Sequence, residues 1–216
     1  VTFGLGHVIN LLSGAAPLKA MLGGRIAGCA PLALADGGPR ADAGFDAGYA
    51  PDRVLADGEG VAGPGWTLRA VATPGHTSNH LCFGLEQEKA LFSGDHVMGW
   101  STSVVSPPDG DMAAYMQSLA RLLDRDDAIY YPTHGPAVTE PKRLVKGMIA
   151  HRRQRERQVL DLLADGAGTI DAMVESMYAM VDRRLWPAAG RSVLAHLIDL
   201  EGRGIVTRKD DEWMLA

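Results

Sequence analysis

Cysteine is scarce in this sequence, and long hydrophobic runs are missing. The 216 residues include two cysteines, Cys29 and Cys82, without the paired spacing of a disulfide framework or a cysteine metal motif. No apolar run reaches the roughly 18 residues that a membrane span needs, and no signal peptide is recognisable. The sequence therefore predicts a chain without membrane spans and with reduced, buried thiols, which is typical of a cytoplasmic protein.

Charge is unevenly distributed along the chain. The formal net charge is −5, and 46% of the residues are apolar, which is ordinary for a globular protein that buries a core. Residues 1–140 contain 8 Lys and Arg against 15 Asp and Glu, whereas residues 141–216 contain 13 against 11. The difference indicates two modules but is too small to indicate a nucleic-acid partner. Because the first residue is Val1 rather than Met, we expect a piece of a longer protein.

Hydrophobic periodicity predicts a mixed α/β organisation for the first module. Residues 30–65 are rich in Ala, Asp, Gly and Pro and predict a loop with one short strand near Arg53–Leu55. The other predicted elements are a helix over 14–22, strands over 25–29, 66–72, 80–85, 90–93 and 129–131, and helices over 112–123 and 141–163. The strands from 66 to 93 are expected to form a meander.

The last 50 residues have the outline of a winged helix. Thr169 is predicted to cap a helix over 170–180, and Ser192 to cap another over 193–201. A polar turn at 208–211 then separates two short apolar segments, which predicts a hairpin.

Three histidines and one aspartate lie where predicted strands meet glycine-containing loops. These residues are His76, Asp95, His96 and His134. Imidazole nitrogen and carboxylate oxygen are the natural ligands of Zn²⁺ in a hydrolase. A single His-Gly pair would be weak evidence, but three such strand ends in one chain favour a metal site.

The same segments resemble a known family. TPGHTSNHLCF (73–83), LFSGDHVMGW (91–100) and YPTHGP (131–136) are similar to the later motifs of the metallo-β-lactamase superfamily, in particular its lactamase-beta-like 2 and glyoxalase II-like group. The resemblance implies that His76 binds the first metal, Asp95 bridges both metals as the catalytic aspartate, and His134 binds the second metal. HRRQRERQVLDLL (151–163) and SVLAHLIDLEGRGIV (192–206) resemble the winged-helix appendage of that group.

The resemblance implies a fold, a domain division and a reaction. We expect a partial αββα sandwich over residues 1–149, with its N-terminal strands missing, and a winged helix over 150–216. The implied function is zinc-dependent hydrolysis with two Zn²⁺ ions, in which a metal-held hydroxide attacks an ester, a thioester or a phosphodiester. The implied substrate is a small molecule or RNA.

The first metal motif of the family, H-x-H-x-D-H, is incomplete in this sequence. Aligning Ser13-Gly14 with the usual helix start places His7 at the first histidine, whereas Ile9, Leu11 and Leu12 replace the other three ligands. His7 is therefore a fourth metal-ligand candidate, and fewer than two well-held ions are expected. Either residues 3–12 do not belong to the native reading frame, or the chain is a metal-poor pseudo-enzyme that binds a partner through its winged helix. The intact later motifs favour the first account.

Several weaker signals have two interpretations each. His80 lines the pocket or is a buried, hydrogen-bonded histidine, and His96 orients a ligand or simply packs at a strand end. Trp100–Ser103 is expected to shape the pocket wall, and His151 and His196 are expected to be structural. The arginine-rich run over 152–157 either meets RNA phosphates or forms a solvated helix face with an Arg152–Glu156 pair, and the second interpretation is preferred.

Overall fold

The computed structural model describes residues 26–28 and 53–216, and the chain divides into two compact units. The described part of the first unit consists of residues 26–28, 53–73, 79–101 and 126–141. The second unit consists of residues 74–78, 102–125 and 142–216. The domain boundary predicted at residues 149 and 150 follows sequence motifs rather than contacts, and it stays a prediction.

The first unit is built on a five-stranded sheet. Its strands, in spatial order, are β3 (Gly60–Gly63), β4 (Trp66–Ala72), β5 (Leu81–Leu85), β6 (Ala90–Gly94) and β7 (Ile129–Pro132). Neighbours from β3 to β6 pair antiparallel, which confirms the predicted meander, whereas β6 and β7 pair parallel. Separately, β1 (Ile26–Gly28) and β2 (Arg53–Leu55) form a parallel pair.

Alternation along β4 creates the core of the first unit. Trp66, Leu68 and Ala70 are buried, while the intervening Thr67 and Arg69 are more accessible. The buried residues pack with Leu55, Phe83 and Phe92. Alternate side chains of a strand point to opposite faces, so these residues cover one face of the sheet, while β6, whose five residues are all buried, is covered on both faces.

The second unit is mainly helical. Its elements are α1 (Met112–Leu123), α2 (Pro141–Ala164), α3 (Ile170–Met177), α4 (Trp186–Gly202), β8 (Val206–Lys209) and β9 (Glu212–Leu215). The first residue of α2, Pro141, belongs to the first unit. The predicted helix over 112–123 is confirmed, and its first turn is capped by the Asp111 carboxylate, which accepts a hydrogen bond from the Ala114 N–H at 2.8 Å. None of the helices in the described residues is long and apolar enough to cross a membrane, and the cytoplasmic location stays a prediction.

The C-terminal elements form the predicted helix, helix and hairpin. Thr169 caps α3 as expected, because its hydroxyl accepts from the Ala172 N–H. The antiparallel pair β8–β9 is the wing hairpin. Apolar side chains of α2, α3, α4 and the hairpin share one core, which includes Val159, Met173, Leu197, Val206 and Trp213.

Three expectations about local structure are wrong. The segment 30–65 is predicted to contain one short strand, but it also contains strand β3. Backbone pairing with β4 compensates for the glycines of β3. Ser192 does not cap a helix, since α4 begins at Trp186 with Pro187 in its first turn. Glu156 pairs with Arg203 at 2.6 Å rather than with Arg152, which is buried. The predicted helix over 14–22 lies outside the described residues.

His196 is a buried histidine on α4 with only 2% of its surface exposed. Neither ring nitrogen has a hydrogen-bond partner among the residues that the structure describes. Burial lowers the pKa of the imidazole from its ordinary value to about 3, and the positive charges of Arg152, His151, Arg155 and Arg203 act in the same direction. The folded protein therefore holds His196 neutral, as expected for a structural histidine.

The free energy of unfolding should therefore fall as the pH drops below about 6.5. The unfolded chain takes up a proton on His196 near its ordinary pKa, whereas the folded chain does so only near 3. Between pH 7 and pH 5 this group alone should lower the stability by about 2 kcal/mol. Urea unfolding at both pH values should show a smaller decrease for His196→Leu than for the wild type, and an equal decrease would contradict the assignment.

Candidate metal centre

Two of the predicted ligands lie together at the ends of neighbouring parallel strands. Asp95 follows β6 directly, and His134 follows β7 after one intervening residue. The ladder continues past the strand ends, since the Thr133 N–H donates to the Gly94 carbonyl at 3.1 Å. The distance from His134 Nε2 to Asp95 Oδ1 is 3.5 Å. Asp95 is almost completely buried, whereas half of the His134 side chain is exposed.

The separation of these two atoms fits a shared metal ion. Two donor atoms bound to one tetrahedral Zn²⁺ at its usual ligand distances lie about 3.3 Å apart. A carboxylate oxygen and an imidazole nitrogen are also the donor types that Zn²⁺ accepts in hydrolases. Within 26–28 and 53–216, no group of three or more His, Cys, Asp and Glu side chains is arranged to hold an ion. The described residues thus provide one pair of donors rather than a complete shell.

His80 holds the backbone at Asp95. Its Nε2 accepts the Asp95 N–H at 3.3 Å, so Nδ1 carries the proton and donates to Thr73 Oγ1 at 2.8 Å. Gly94 leaves room for this contact, because a Cβ there would lie 2.6 Å from His80 Nε2, and its φ of +56° suits glycine. Of the two interpretations of His80, the geometry favours the hydrogen-bonded one. The spacing of His80 from Asp95 gave no signal of this contact.

His96 is fully buried beside His80. The two ring centroids are 5.8 Å apart, and the rings are tilted by 39°. Its role in orienting a metal ligand stays a prediction. On the His134 side, the Gly99 N–H donates to the His134 carbonyl at 2.9 Å, which ties the start of the 99–103 segment to this ligand. The next residue, Trp100, is 75% exposed.

His76 lies in the second unit, where a hydrogen bond fixes its ring. Its Nδ1 is 2.6 Å from the Val104 carbonyl oxygen. A carbonyl only accepts hydrogen bonds, so Nδ1 carries a proton, and Nε2 is the ring nitrogen left to bind a metal. Metal-binding histidines commonly donate their other N–H to a carbonyl in this way. The ring of His76 is thus in the tautomer that a metal ligand through Nε2 requires.

The turn before His76 packs tightly against α1. The Gly75 carbonyl accepts from the Asp111 N–H at 2.9 Å, and the Pro74 carbonyl accepts from Ser118 Oγ at 2.8 Å. Gly75 has a φ of +136°, and a Cβ there would lie 2.3 Å from the Tyr115 Cα. Only glycine combines this backbone conformation with such a close approach.

His7 and the incomplete first motif, with Ile9, Leu11 and Leu12, lie outside the described residues. The structure therefore brings Asp95 and His134 together, and it places His76 in its own supported turn. Whether His7 is a ligand stays a prediction.

Sequence comparison agrees with these motifs. A family model described as the metallo-beta-lactamase superfamily matches residues 14–134, and one described as the beta-lactamase associated winged helix domain matches residues 169–213. The chain belongs to the metallo-beta-lactamase superfamily, as the motif resemblance predicted. It carries that winged helix at its C-terminal end, so the predicted fold class is confirmed.

Several curated proteins are similar to this chain. A beta-lactamase-like protein 2 homolog from Drosophila melanogaster is 35% identical and aligns with 73% of this chain and 54% of its own length. The atrochrysone carboxyl ACP thioesterase of Aspergillus fumigatus is 36% identical over 60% of this chain and 45% of its own. The lactamase-like protein adaB of Aspergillus niger is 39% identical over 58% and 43%. The chain thus spans about half the length of these relatives.

Solved structures show the same fold. A metallo-beta-lactamase family protein from Thermus thermophilus superposes with a TM-score of 0.66 at 26% identity, covering 77% of this chain and 56% of that one. A beta-lactamase domain protein from Burkholderia ambifaria superposes with a TM-score of 0.62 at 24% identity, covering 78% and 54%.

Replacing Gly75 should destabilise the turn that carries His76. Gly75→Ala introduces a Cβ against the α1 backbone at an unfavourable φ, and we expect a loss of about 2–4 kcal/mol in the free energy of unfolding. The matched control is Gly147→Ala in α2, where a Cβ meets no described atom within 4 Å and helix propensity should add up to about 1 kcal/mol. Urea unfolding measures both changes, and equal effects would argue against the tight turn.

Proposed function

We propose that this chain is the metal-site portion of a zinc-dependent hydrolase that cleaves thioesters. The observation that carries the proposal is the 3.5 Å approach of the His134 imidazole to the buried Asp95 carboxylate, in a chain of the metallo-beta-lactamase superfamily. A carboxylate oxygen and an imidazole nitrogen are donor types that Zn²⁺ accepts in hydrolases, and this separation suits two ligands of one ion.

Four residues are proposed as metal ligands. They are His76, Asp95, His134 and His7, and with this set we expect fewer than two fully coordinated ions. Bound Zn²⁺ would supply an activated water at neutral pH and would polarise the substrate carbonyl. Asp95 would hold metal through its carboxylate, while His80 would keep the Asp95 backbone in place. The support for His76 is its motif and its fixed tautomer.

The proposed reaction breaks the acyl C–S bond of a thioester. Water contributes its oxygen to the acyl carbon, giving a carboxylic acid, and a proton to the departing sulfur, giving a thiol. A relative 36% identical to this chain is named an ACP thioesterase, which favours a thioester over the ester and phosphodiester alternatives.

The arginine-rich run gives RNA little support as a substrate. Arg152 is buried, Arg155 lies over the Tyr178 ring at 4.8 Å, and the Glu156 carboxylate within the run pairs with Arg203. In the wing, Arg208 pairs with Asp211 at 3.3 Å. These contacts use several of the cations that a phosphate backbone would need, so a small-molecule thioester is the preferred substrate class.

Zinc content should depend on the two donors that lie together. In protein purified without chelator, Asp95→Ala and His134→Ala should each lower the bound zinc at least about tenfold relative to wild type, because each removes a direct ligand. Elemental mass spectrometry on chromatographically monomeric protein gives the metal per chain.

His151→Ala is the matched control for these variants. His151 is a partly buried histidine on α2 that belongs to none of the proposed ligand motifs. This variant should keep the wild-type zinc content. Zinc-free wild-type protein, or equal losses in all three variants, would overturn the proposed metal site.

Substrate class can be tested with three small acyl and phosphoryl compounds. An N-acetylcysteamine thioester, the matching oxygen ester and bis(p-nitrophenyl) phosphate should be hydrolysed by zinc-loaded protein with the highest kcat/KM for the thioester, by about tenfold or more. Thiol release, carboxylic acid release and nitrophenolate absorbance are the readouts. Preference for the phosphodiester would favour RNA as the substrate instead, and hydrolysis of none of the three would contradict the proposal.

A further inference from the structure

In the second unit, arginines from two helices hold the loop over residues 102–110. Arg152 of α2 donates from Nη2 to the Ser103 carbonyl. Arg191 of α4 donates from Nε to Ser106 Oγ and from Nη2 to the Pro107 carbonyl. Ser103 and Val105 are buried, while Val104 between them is exposed. The loop is therefore held on both sides of Val104, whose carbonyl contacts His76.

The guanidinium of Arg152 is unusual because it is buried. Only 4% of the residue is exposed, and its Cζ lies 5.3 Å from the centroid of the Tyr115 ring, which is completely buried. In the described part of the chain no carboxylate forms an ion pair with Arg152, and its Nε has no hydrogen-bond partner. The Tyr115 side chain also hydrogen-bonds to the guanidinium, but a buried cation without a carboxylate partner still opposes folding, so stability alone does not explain it.

The contacts of Arg152 lead to His76 through one peptide unit. Arg152 holds the carbonyl of Ser103, and the next carbonyl along the chain, that of Val104, accepts the Nδ1–H of His76 at 2.6 Å. Displacing the Ser103 carbonyl would move the Val104 carbonyl, because the two belong to consecutive peptide planes. The ring of Tyr115 lies beneath the guanidinium, and the backbone of the same residue packs closely against Gly75, which precedes His76.

We infer that Arg152 is a positioning residue for His76: it fixes the Ser103–Val104 backbone and thereby the tautomer and orientation of the imidazole. The role of His76 as a metal ligand rests on the proposed function, whereas the effect of Arg152 on the ring does not. Arg191 is a second anchor of the same loop, and it holds Ser106 and Pro107, which are two and three residues from Val104. The long helix that leads into the winged helix would therefore help to build the metal-binding turn.

The imidazole itself reports on this inference in metal-free protein. In ¹⁵N-labelled protein treated with chelator, the wild-type His76 ring should show a protonated Nδ1, an unprotonated Nε2 and a slowly exchanging Nδ1–H. His76→Gln assigns these signals by removing them. Arg152→Met should mix the two tautomers and speed exchange of the Nδ1–H by about tenfold, the factor that corresponds to the net contribution of one hydrogen bond.

Two further variants control the experiment. Arg153→Met removes an exposed neighbouring cation, and it should leave the His76 signals unchanged. Arg152→Lys keeps the charge and one donor, so it should give an intermediate exchange rate. If Arg152→Met does not fold, the lysine variant decides: a wild-type tautomer and exchange rate in a folded Arg152 variant would overturn the inference, as would an equal change in Arg153→Met.

Zinc affinity then separates this inference from the proposed function. If His76 is a ligand, Arg152→Met should weaken zinc binding by about 10- to 100-fold, as for other residues that orient a ligand. A changed tautomer with unchanged zinc affinity would support the positioning role and reject His76 as a ligand. An unchanged tautomer with weakened zinc binding would reject the positioning role and leave the metal site standing.

Discussion

Parallel pairing of β6 with β7 is the interaction on which the candidate site depends. Gly94 is opposite Pro132 in this register, and the ladder extends by one further hydrogen bond to Thr133. Because neighbouring parallel strands end at the same edge of a sheet, residues after the two strands are brought side by side although 39 positions separate Asp95 from His134. A shift of this register by two residues would move the donors apart by about 7 Å. The sheet thus positions the donor pair of Asp95 and His134.

The two kinds of support in the molecule differ physically. At Asp95 the backbone is held by a neutral chain of hydrogen bonds that runs through His80 and Thr73. At His76 the ring is held by a carbonyl, and the segment bearing that carbonyl is held by a buried cation. Burying a neutral, hydrogen-bonded chain costs little free energy, whereas burying a cation costs more. The arrangement at His76 is therefore the more specialised of the two.

Periodicity and local motifs in the sequence were sufficient to predict much of the fold. The meander, the α1 helix and the wing hairpin each follow from spacing within one short segment. Strand β3 and the start of α4 were not predictable, because sheet pairing and helix packing there outweigh the local preferences of Gly60 and Gly190. The contacts of Arg152 escaped prediction for another reason: they join positions 49 residues apart, and a charged run is normally solvent-exposed.

The limits of the sequence family and those of the compact unit do not coincide. The winged-helix family match begins at residue 169, yet the unit that contains it also includes residues 74–78 and 102–125. Arg191 lies inside the family match and Arg152 lies before it, and both donate to the 102–110 loop. Recombination at residue 169 would thus separate the 102–110 loop from Arg191. The winged helix can therefore be exchanged only between homologues whose 102–110 loops accept the same guanidinium group. The winged helix and this loop should evolve together.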